Sequence, residues 1–204
     1  MRRLCFGGSF NPIHQAHLIC ARAVAEARGF DVVVLVPSAQ PPHKTSWPGD
    51  MAGAHDRLEM CRRAIADGGK SGGVRFEVDD LELRRTGPSY TIDTAAELRA
   101  RGWDRVDWLI GADMLLYLPN WHRPEDLLRE VSFWIMARPG WDLDWETLPP
   151  EYRHLQSNVV AAPLIEISAT DLRARVRQGL PIDYLTTPGV VGYIRDKGLY
   201  RDGP

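Results

Sequence analysis

The stretch LCFGGSFNPIHQAH, residues 4–17, decides how the rest of the chain is interpreted. A short apolar run is followed at once by Gly7 and Gly8, then by Asn-Pro and by two histidines three positions apart. In an open parallel sheet, ligands bind beyond the carboxyl ends of the strands, and the loop after the first strand often lies there. Glycine permits positive φ and a close approach of a ligand to the backbone. The stretch therefore predicts a strand, a binding loop and a helix that begins near His17.

The remainder of the chain alternates between strand and helix patterns. We predict strands at residues 4–6, 31–37, 74–78, 106–110, 132–137 and 159–162, and helices at 17–28, 55–66, 91–101, 169–178 and 190–197. Strands that alternate with helices indicate βαβ units and a parallel sheet covered on both faces. No internal repeat or interdomain linker is evident. We therefore expect an α/β fold, a Rossmann-like three-layer α/β/α arrangement with a mostly parallel sheet, in a single domain over residues 1–204.

Composition restricts the classes of partner. The 204 residues are 44% apolar and 25% charged, as in ordinary globular proteins, and the formal net charge is −2. A net charge this close to zero gives no general reason to expect a nucleic-acid partner. Three scattered cysteines without a C-x-x-C pair indicate free thiols in a reducing compartment. No run approaches the ~18 apolar residues of a spanning helix. We expect a cytoplasmic protein with no membrane partner.

The two histidines of the opening stretch favour a phosphate site. A helix that begins near them offers free N–H groups and a favourable dipole to an anion, and His14 and His17 each add an imidazole donor. The stretch contains neither the lysine of a Walker motif nor the G-x-G-x-x-G of dinucleotide folds. Two alternatives remain at this point: the glycines form a simple turn, or the histidines are metal ligands. A metal site lacks a third ligand nearby, so we predict no protein metal ligand.

A second segment, ISATDLR at residues 167–173, indicates the start of a late helix. Ser168 is placed as its N-cap, with Asp171 three residues further on. A capped N-terminus would present Thr170 and Arg173 to a phosphate group. The cap and the phosphate contact are compatible interpretations.

These two segments resemble the signatures of the nucleotidylyltransferase superfamily. Residues 7–17 are similar to G-x-F-x-P-x-H-x-G-H, with Ala16 where glycine is usual, and residues 167–173 are similar to I-S-S-T-x-[IL]-R. Further segments resemble the bacterial nicotinate-nucleotide adenylyltransferases: PPHK at 41–44, RLEM at 57–60, PSYT at 88–91, GAD at 111–113, Trp121, and RPG at 138–140. The resemblance implies transfer of the AMP moiety of ATP to nicotinate mononucleotide. The products would be nicotinate adenine dinucleotide and pyrophosphate, and Mg²⁺ would enter with ATP.

The resemblance also implies roles for single residues. It assigns catalysis to His14, His17 and Arg173, and ATP binding to Gly7, Gly8, Ser9, Phe10, Ile167, Ser168, Thr170 and Arg138. It assigns nicotinate mononucleotide binding to Lys44, Arg57, Tyr90, Thr91, Asp113, Trp121 and His122. Lys44 and Arg57 would flank the mononucleotide phosphate, and Asp113 would hold the ribose or cap the next helix. Trp121 would stack on the pyridine ring, and backbone N–H groups near Thr91 and His122 would receive the nicotinate carboxylate.

Two competing functions stay open. One is an adenylyltransferase of the same superfamily that acts on phosphopantetheine or on nicotinamide mononucleotide. The other is a nucleotide-binding sensor that has lost catalysis. This alternative stays open because Ala16 replaces the usual glycine of the motif, and its methyl group would crowd the phosphate. A homo-oligomer is compatible with either.

Overall fold

A computed structural model describes residues 1–42, 51–68, 73–137 and 140–201. At its centre lies a six-stranded sheet in the order β3-β2-β1-β4-β5-β6, and every neighbouring pair is parallel. The strands are β1 (Arg3–Gly8), β2 (Val32–Pro37), β3 (Arg75–Val78), β4 (Val106–Gly111), β5 (Val131–Ala137) and β6 (Val159–Ala161). The helices are α1 (Gln15–Arg28), α2 (Ala54–Ala66), α3 (Thr91–Ala100), α4 (Ala112–Leu115), α5 (Pro124–Glu130), α6 (Ala169–Arg177) and α7 (Pro188–Lys197).

Alternation along the strands builds two apolar layers, one on each face of the sheet. Successive side chains of a strand point to opposite faces, so a strand covered on both sides is apolar throughout. In β2 all six residues are buried, as its sequence VVVLVP predicts. One layer joins Leu4, Phe6, Val33 and Leu35 to residues of α1, α2 and α7. The other joins Cys5, Val32, Val34 and Trp108 to residues of α3, α4 and α5. The result is the predicted three-layer α/β/α arrangement.

The strand order places the opening stretch at the switch point of the sheet. From β1 the chain builds outward through β2 to β3, and then returns to the other side of β1 to build β4, β5 and β6. A crevice forms at the point where the strand order reverses, beyond the carboxyl ends of the strands. The loop after β1 and the loop after β4 meet at this crevice, which is where a ligand site is expected.

The predicted fold class and all predicted strands and helices are confirmed. The predicted helices do not include α5 or the four 3₁₀ helices at Leu81–Arg84, Leu118–Asn120, Trp145–Thr147 and Pro150–Asn158, and α4 is predicted only as the helix that Asp113 would cap in its alternative role. The first three of these 3₁₀ helices, like α4, have too few residues to establish a helical period. Within the described parts of the chain, no helix is long and apolar enough to cross a membrane. The extent of the domain stays a prediction.

Candidate active site

The glycines of the opening stretch lie at the end of β1, and Gly7 packs closely against β4. Gly7 and Gly8 are the last two residues of β1, and neither has positive φ. A Cβ on Gly7 would lie 2.3 Å from Cζ2 of Trp108, so the indole of β4 occupies the space of a side chain. Positive φ occurs instead at Phe10, at 45°. The freedom to adopt positive φ is therefore not used at these two glycines, and close packing against Trp108 is what requires Gly7.

The two histidines form a stacked pair at the start of α1. His14 is the N-cap, so the helix begins at Gln15, two residues earlier than predicted. The backbone N–H of His14 donates to Nδ1 of His17 at 3.2 Å, and the two ring centroids are 3.6 Å apart. Burial lowers the pKa of His14 from 6.5 to about 4, so this imidazole is neutral near pH 7. Ala16 lies among the buried residues of the same first turn.

The ring of Phe10 packs against the histidine pair from inside. It is 2% exposed, and its centroid lies 5.3 Å from that of His17 and 5.5 Å from that of Phe6. Both contacts are edge-to-face, the arrangement that aromatic rings prefer. The left-handed backbone at this residue turns the side chain into the core. The loop between β1 and α1, residues 9–14, is therefore anchored by its own aromatic residue.

Helix α6 brings the second signature against the first. Ser168 is its N-cap, as predicted, and its Oγ accepts from the backbone N–H of Asp171 at 3.1 Å. Arg173 is 2% exposed and donates from Nη1 to the backbone oxygen of Asn11 at 2.9 Å. Its Nη2 lies 3.4 Å from Oγ1 of the exposed Thr170. Ile167 packs against the apolar layer that contains Phe10. Two segments that are 162 residues apart thus share one site.

Arg57 has partners that the sequence did not suggest. Its side chain is 1% exposed, and the guanidinium donates to the backbone oxygens of Ser9 at 2.7 Å, Ala52 at 3.0 Å and Ala39 at 3.1 Å. A buried arginine with its donors used in this way ties chain segments together. We therefore treat Arg57 as a positioning residue rather than a phosphate ligand. Lys44, the other predicted contact of the mononucleotide phosphate, and Arg138, predicted to bind ATP, lie outside the described residues.

Four of the predicted acceptor residues lie close together beyond β4 and beside α3. Tyr90 is the N-cap of α3 and Thr91 is its first residue. The ring of Tyr90 stacks on that of His122, with centroids 4.1 Å apart and an interplanar angle of 22°. Trp121 is half-buried and meets Phe133 edge-on at 6.1 Å. Its Nε1 is buried and has no hydrogen-bond partner. An aromatic surface thus borders the start of a helix.

Asp113 lies where the strand pattern placed it. It is exposed in the first turn of α4, directly after β4. Gly111 is the N-cap of this helix, so Asp113 does not have the alternative capping role. Its carboxylate remains available to a ligand at the carboxyl end of the sheet.

Several residues of the site were missed. Asn11 is 3% exposed, and its Oδ1 accepts from the backbone N–H of Ala52 at 3.0 Å and from the hydroxyl of Tyr200 at 2.7 Å. Ser89 Oγ accepts from the backbone N–H groups of Ala39 and Gln40, at 2.9 and 3.2 Å. Asn11 and Ser89 lie inside residues 7–17 and 88–91, two segments that resemble motifs of the family. That resemblance was the signal that could have identified them. Tyr200 carried no comparable signal.

The buried carboxyl group of Glu82 is hydrogen-bonded to the first half of α3. Glu82 is 5% exposed and accepts a hydrogen bond from Oγ1 of Thr94 at 2.6 Å. Burial raises the pKa of this carboxyl, while its hydrogen bonds with Thr94 and Ser89 and the charge of Arg85 act in the opposite direction. Glu82 therefore connects the helix that bears Thr91 to the segment that leads into it.

The site is assembled from the ends of β1 and β4, a histidine pair at one helix start and an arginine held against the β1–α1 loop. These features define a nucleotidyltransferase, and the family described as Cytidylyltransferase-like matches residues 5–175. Proteins named "Probable nicotinate-nucleotide adenylyltransferase" give a narrower match. The one from Acidothermus cellulolyticus is 41% identical and the match covers 96% of this chain and 92% of that one. The one from Herpetosiphon aurantiacus is 38% identical, and the match covers 95% of this chain and 96% of that one. The chain belongs to the nicotinate-nucleotide adenylyltransferase family.

Solved structures agree on the fold. The Plasmodium falciparum nicotinic acid mononucleotide adenylyltransferase complexed with NaAD has a TM-score of 0.74 at 20% identity, over 98% of both chains. The same enzyme complexed with APC has a TM-score of 0.69 at 18% identity, also over 98% of both chains. The architecture is therefore retained at low sequence identity.

Proposed function

We propose that this protein transfers the AMP moiety of ATP to nicotinate mononucleotide, forming nicotinate adenine dinucleotide and pyrophosphate. The observation that carries the proposal is the hydrogen bond between Arg173 and the Asn11 carbonyl, which brings the two signatures together beside the histidine pair. A phosphate oxygen of the mononucleotide attacks the α-phosphorus of ATP, and the bond from that phosphorus to the bridging oxygen breaks. The electron pair leaves with pyrophosphate. The nucleophile is already ionised, so no side chain has to remove a proton from it.

Catalysis then depends on alignment and on stabilising negative charge. His14 and His17 donate N–H groups to the ATP phosphates, and Arg173 supplies the positive charge near the leaving pyrophosphate. A neutral His14 still donates one N–H, and the phosphate charge favours its protonated form. Gly7, Gly8, Ser9 and Phe10 shape the loop beside the nucleotide. Ile167, Ser168 and Thr170 present the α6 N-terminus to it.

The acceptor binds on the other side of the crevice. Trp121 stacks on the pyridine ring, since its side chain is not fully buried. Backbone N–H groups at the start of α3, near Thr91, and at His122 receive the nicotinate carboxylate. Asp113 holds ribose hydroxyls. Lys44 at the mononucleotide phosphate and Arg138 at ATP complete the proposed assignment.

Mg²⁺ is proposed to arrive with ATP. The described residues offer no group of three or more His, Cys, Asp or Glu side chains that fits a metal ion. A hard cation of this kind is bound mainly by substrate phosphates and water in such sites. The thiols of Cys5, Cys20 and Cys61, which are not joined in disulfides, fit the proposed cytoplasmic location.

The proposal is tested by measuring pyrophosphate release from ATP with nicotinate mononucleotide or nicotinamide mononucleotide. We expect turnover with the nicotinate form and a preference of roughly tenfold to a hundredfold over the amide, because charge-assisted hydrogen bonds exceed neutral ones. Failure of the folded protein to release pyrophosphate with the nicotinate form would contradict the function. Equal use of both forms would contradict the assignment of the carboxylate site.

His17→Ala tests the catalytic assignment in the same assay. Loss of one preorganised donor should lower kcat/KM by about a hundredfold. His154→Ala is the matched control, because His154 is exposed and its Nδ1 lies 2.7 Å from the backbone oxygen of Glu151, within its own 3₁₀ helix. Circular dichroism confirms that both variants fold. Wild-type turnover in His17→Ala would remove this residue from the mechanism.

A further inference from the structure

Asn11 lies at the junction between the catalytic arginine and the C-terminal segment. Its backbone oxygen accepts from Arg173 Nη1 at 2.9 Å, while its side-chain Oδ1 accepts from the hydroxyl of Tyr200 at 2.7 Å. The same Oδ1 accepts from the backbone N–H of Ala52. With the side chain held at one end, the peptide plane that binds the guanidinium has little freedom to rotate. One asparagine thus transmits the position of a distant tyrosine to Arg173.

Tyr200 is held in a conformation that favours this contact. Its φ is 63°, in the left-handed region that residues other than glycine seldom adopt. Such conformations persist where the surrounding structure requires them. Its ring packs against the apolar layer that contains Phe10 and Ile13. Burial raises the pKa of the Tyr200 phenol, so the hydroxyl stays protonated and remains a donor at any working pH.

We propose that Tyr200 is a positioning residue for catalysis, acting through Asn11 on Arg173. Its hydroxyl fixes the Asn11 side chain, the Asn11 carbonyl fixes the guanidinium, and the guanidinium stabilises charge as pyrophosphate leaves. This inference rests on the proposed function of the site. The effect belongs to the transition state, so it should lower kcat while leaving the mononucleotide KM unchanged.

Tyr193 provides a matched comparison in the same part of the chain. Its hydroxyl donates to Oδ1 of Asp56 at 2.9 Å, so this bond joins α7 to α2 and does not involve Asn11. Burial raises the pKa of Tyr193 to about 12, so this phenol is also a stable donor. Tyr193→Phe and Tyr200→Phe each remove one hydroxyl and one hydrogen bond. Their losses of thermal stability should therefore be similar, and only their kinetics should differ.

The experiment compares pyrophosphate release by wild type, Tyr200→Phe and Tyr193→Phe, together with their melting temperatures. We expect Tyr200→Phe to lower kcat by about tenfold or more with the mononucleotide KM within about twofold of wild type, and Tyr193→Phe to retain wild-type kcat. Unchanged kcat in Tyr200→Phe, or an equal loss in both variants, would overturn the inference. A wild type that releases no pyrophosphate would instead contradict the proposed function itself.

A double-mutant cycle with Asn11→Ala tests the route of the effect. Once the acceptor is gone, Tyr200→Phe should cause less than about a twofold further loss of kcat, because residues that act through one contact are not additive. Full additivity of the two losses would overturn the route through Asn11. Should Tyr200→Phe not fold, Asn11→Ala alone must show the kcat loss, and a normal kcat there would overturn the inference as well.

Discussion

The imidazole of His14 is packed against the ring of His17 and the first turn of α1, and burial holds its pKa at about 4. The resting site therefore contains a neutral donor at neutral pH rather than a cation. In the proposed mechanism the phosphates of ATP lie beside His14, and their charge would stabilise the imidazolium and raise this pKa. We therefore expect ATP binding to be coupled to proton uptake at pH values below neutrality. The sequence predicts an N–H donor here, but not its charge, because the charge depends on burial.

The depressed pKa of His14 has a measurable effect on stability. A base whose folded-state pKa lies below its unfolded value stabilises the fold above the unfolded value, and that contribution is lost as pH falls from 6.5 through about 4. His14→Ala should remove this loss, which amounts to about 3 kcal/mol for a shift of this size. Urea unfolding of the nucleotide-free protein at several pH values measures it. An acid dependence identical to that of wild type would contradict the assignment, and His154→Ala serves as the control.

Helix α6 is the element on which the second half of the site depends. Its N-cap was predicted from the order Ser168, Asp171, and the structure confirms the hydrogen bond that this order implies. Helix starts with polar caps and strands with β-branched runs can be predicted because their causes are local. The four-residue α4 and the single turns beside it have no such local signal. Their position depends on the tertiary structure around Trp121 and Leu118.

Ser168→Ala should destabilise the protein by about 1 kcal/mol, since it removes the acceptor of the Asp171 N–H. Because α6 carries Arg173, kcat/KM for ATP should fall as well. Thr187→Ala is the control for the same position in another helix. Thr187 is the N-cap of α7 but makes no capping hydrogen bond through its side chain, and its Oγ1 is buried without a partner. Equal destabilisation by the two substitutions in urea unfolding would contradict the argument.

At the scale of the whole molecule, hydrogen bonds from polar side chains connect the two halves of the crevice. Arg57 binds the backbone oxygens of Ser9 and Ala39, and Ser89 binds the N–H of Ala39 from the segment before α3. These contacts join the loop after β1 to the acceptor side. None was predicted, although the motifs had marked Arg57 and Ser89 themselves. The sequence identifies side chains capable of such bonds, whereas the partners are backbone atoms that only the tertiary structure brings near.

Glu82 introduces a second pH dependence into this network. Burial raises its pKa above the unfolded value, so its favourable contribution is present below the unfolded pKa and is lost as pH rises through the folded one. Glu82→Gln keeps an oxygen for the Thr94 hydroxyl and removes the charge. We expect this variant to be more stable than wild type at pH 7, with the difference shrinking towards pH 4.5. Chemical denaturation measures both values.

The exposed Glu130→Gln is the control for that measurement, because its carboxylate lies 3.9 Å from Arg99 at the surface. It should follow the wild-type pH dependence. A Glu82→Gln variant that is less stable than wild type at pH 7 would mean that the charge of Arg57 and Arg85 outweighs burial at this site.

The bond between Asn11 and Tyr200 joins positions 189 residues apart, and the bond to Arg173 spans 162. Chains are synthesised from the N-terminus, and domains fold as their residues emerge from the ribosome. β1 and β2 can pair early, since they are adjacent in both sequence and sheet. The contacts of Asn11 with Arg173 and Tyr200, by contrast, have to wait until residue 200 has been translated. We therefore expect a nascent chain to acquire its sheet before it acquires affinity for ATP.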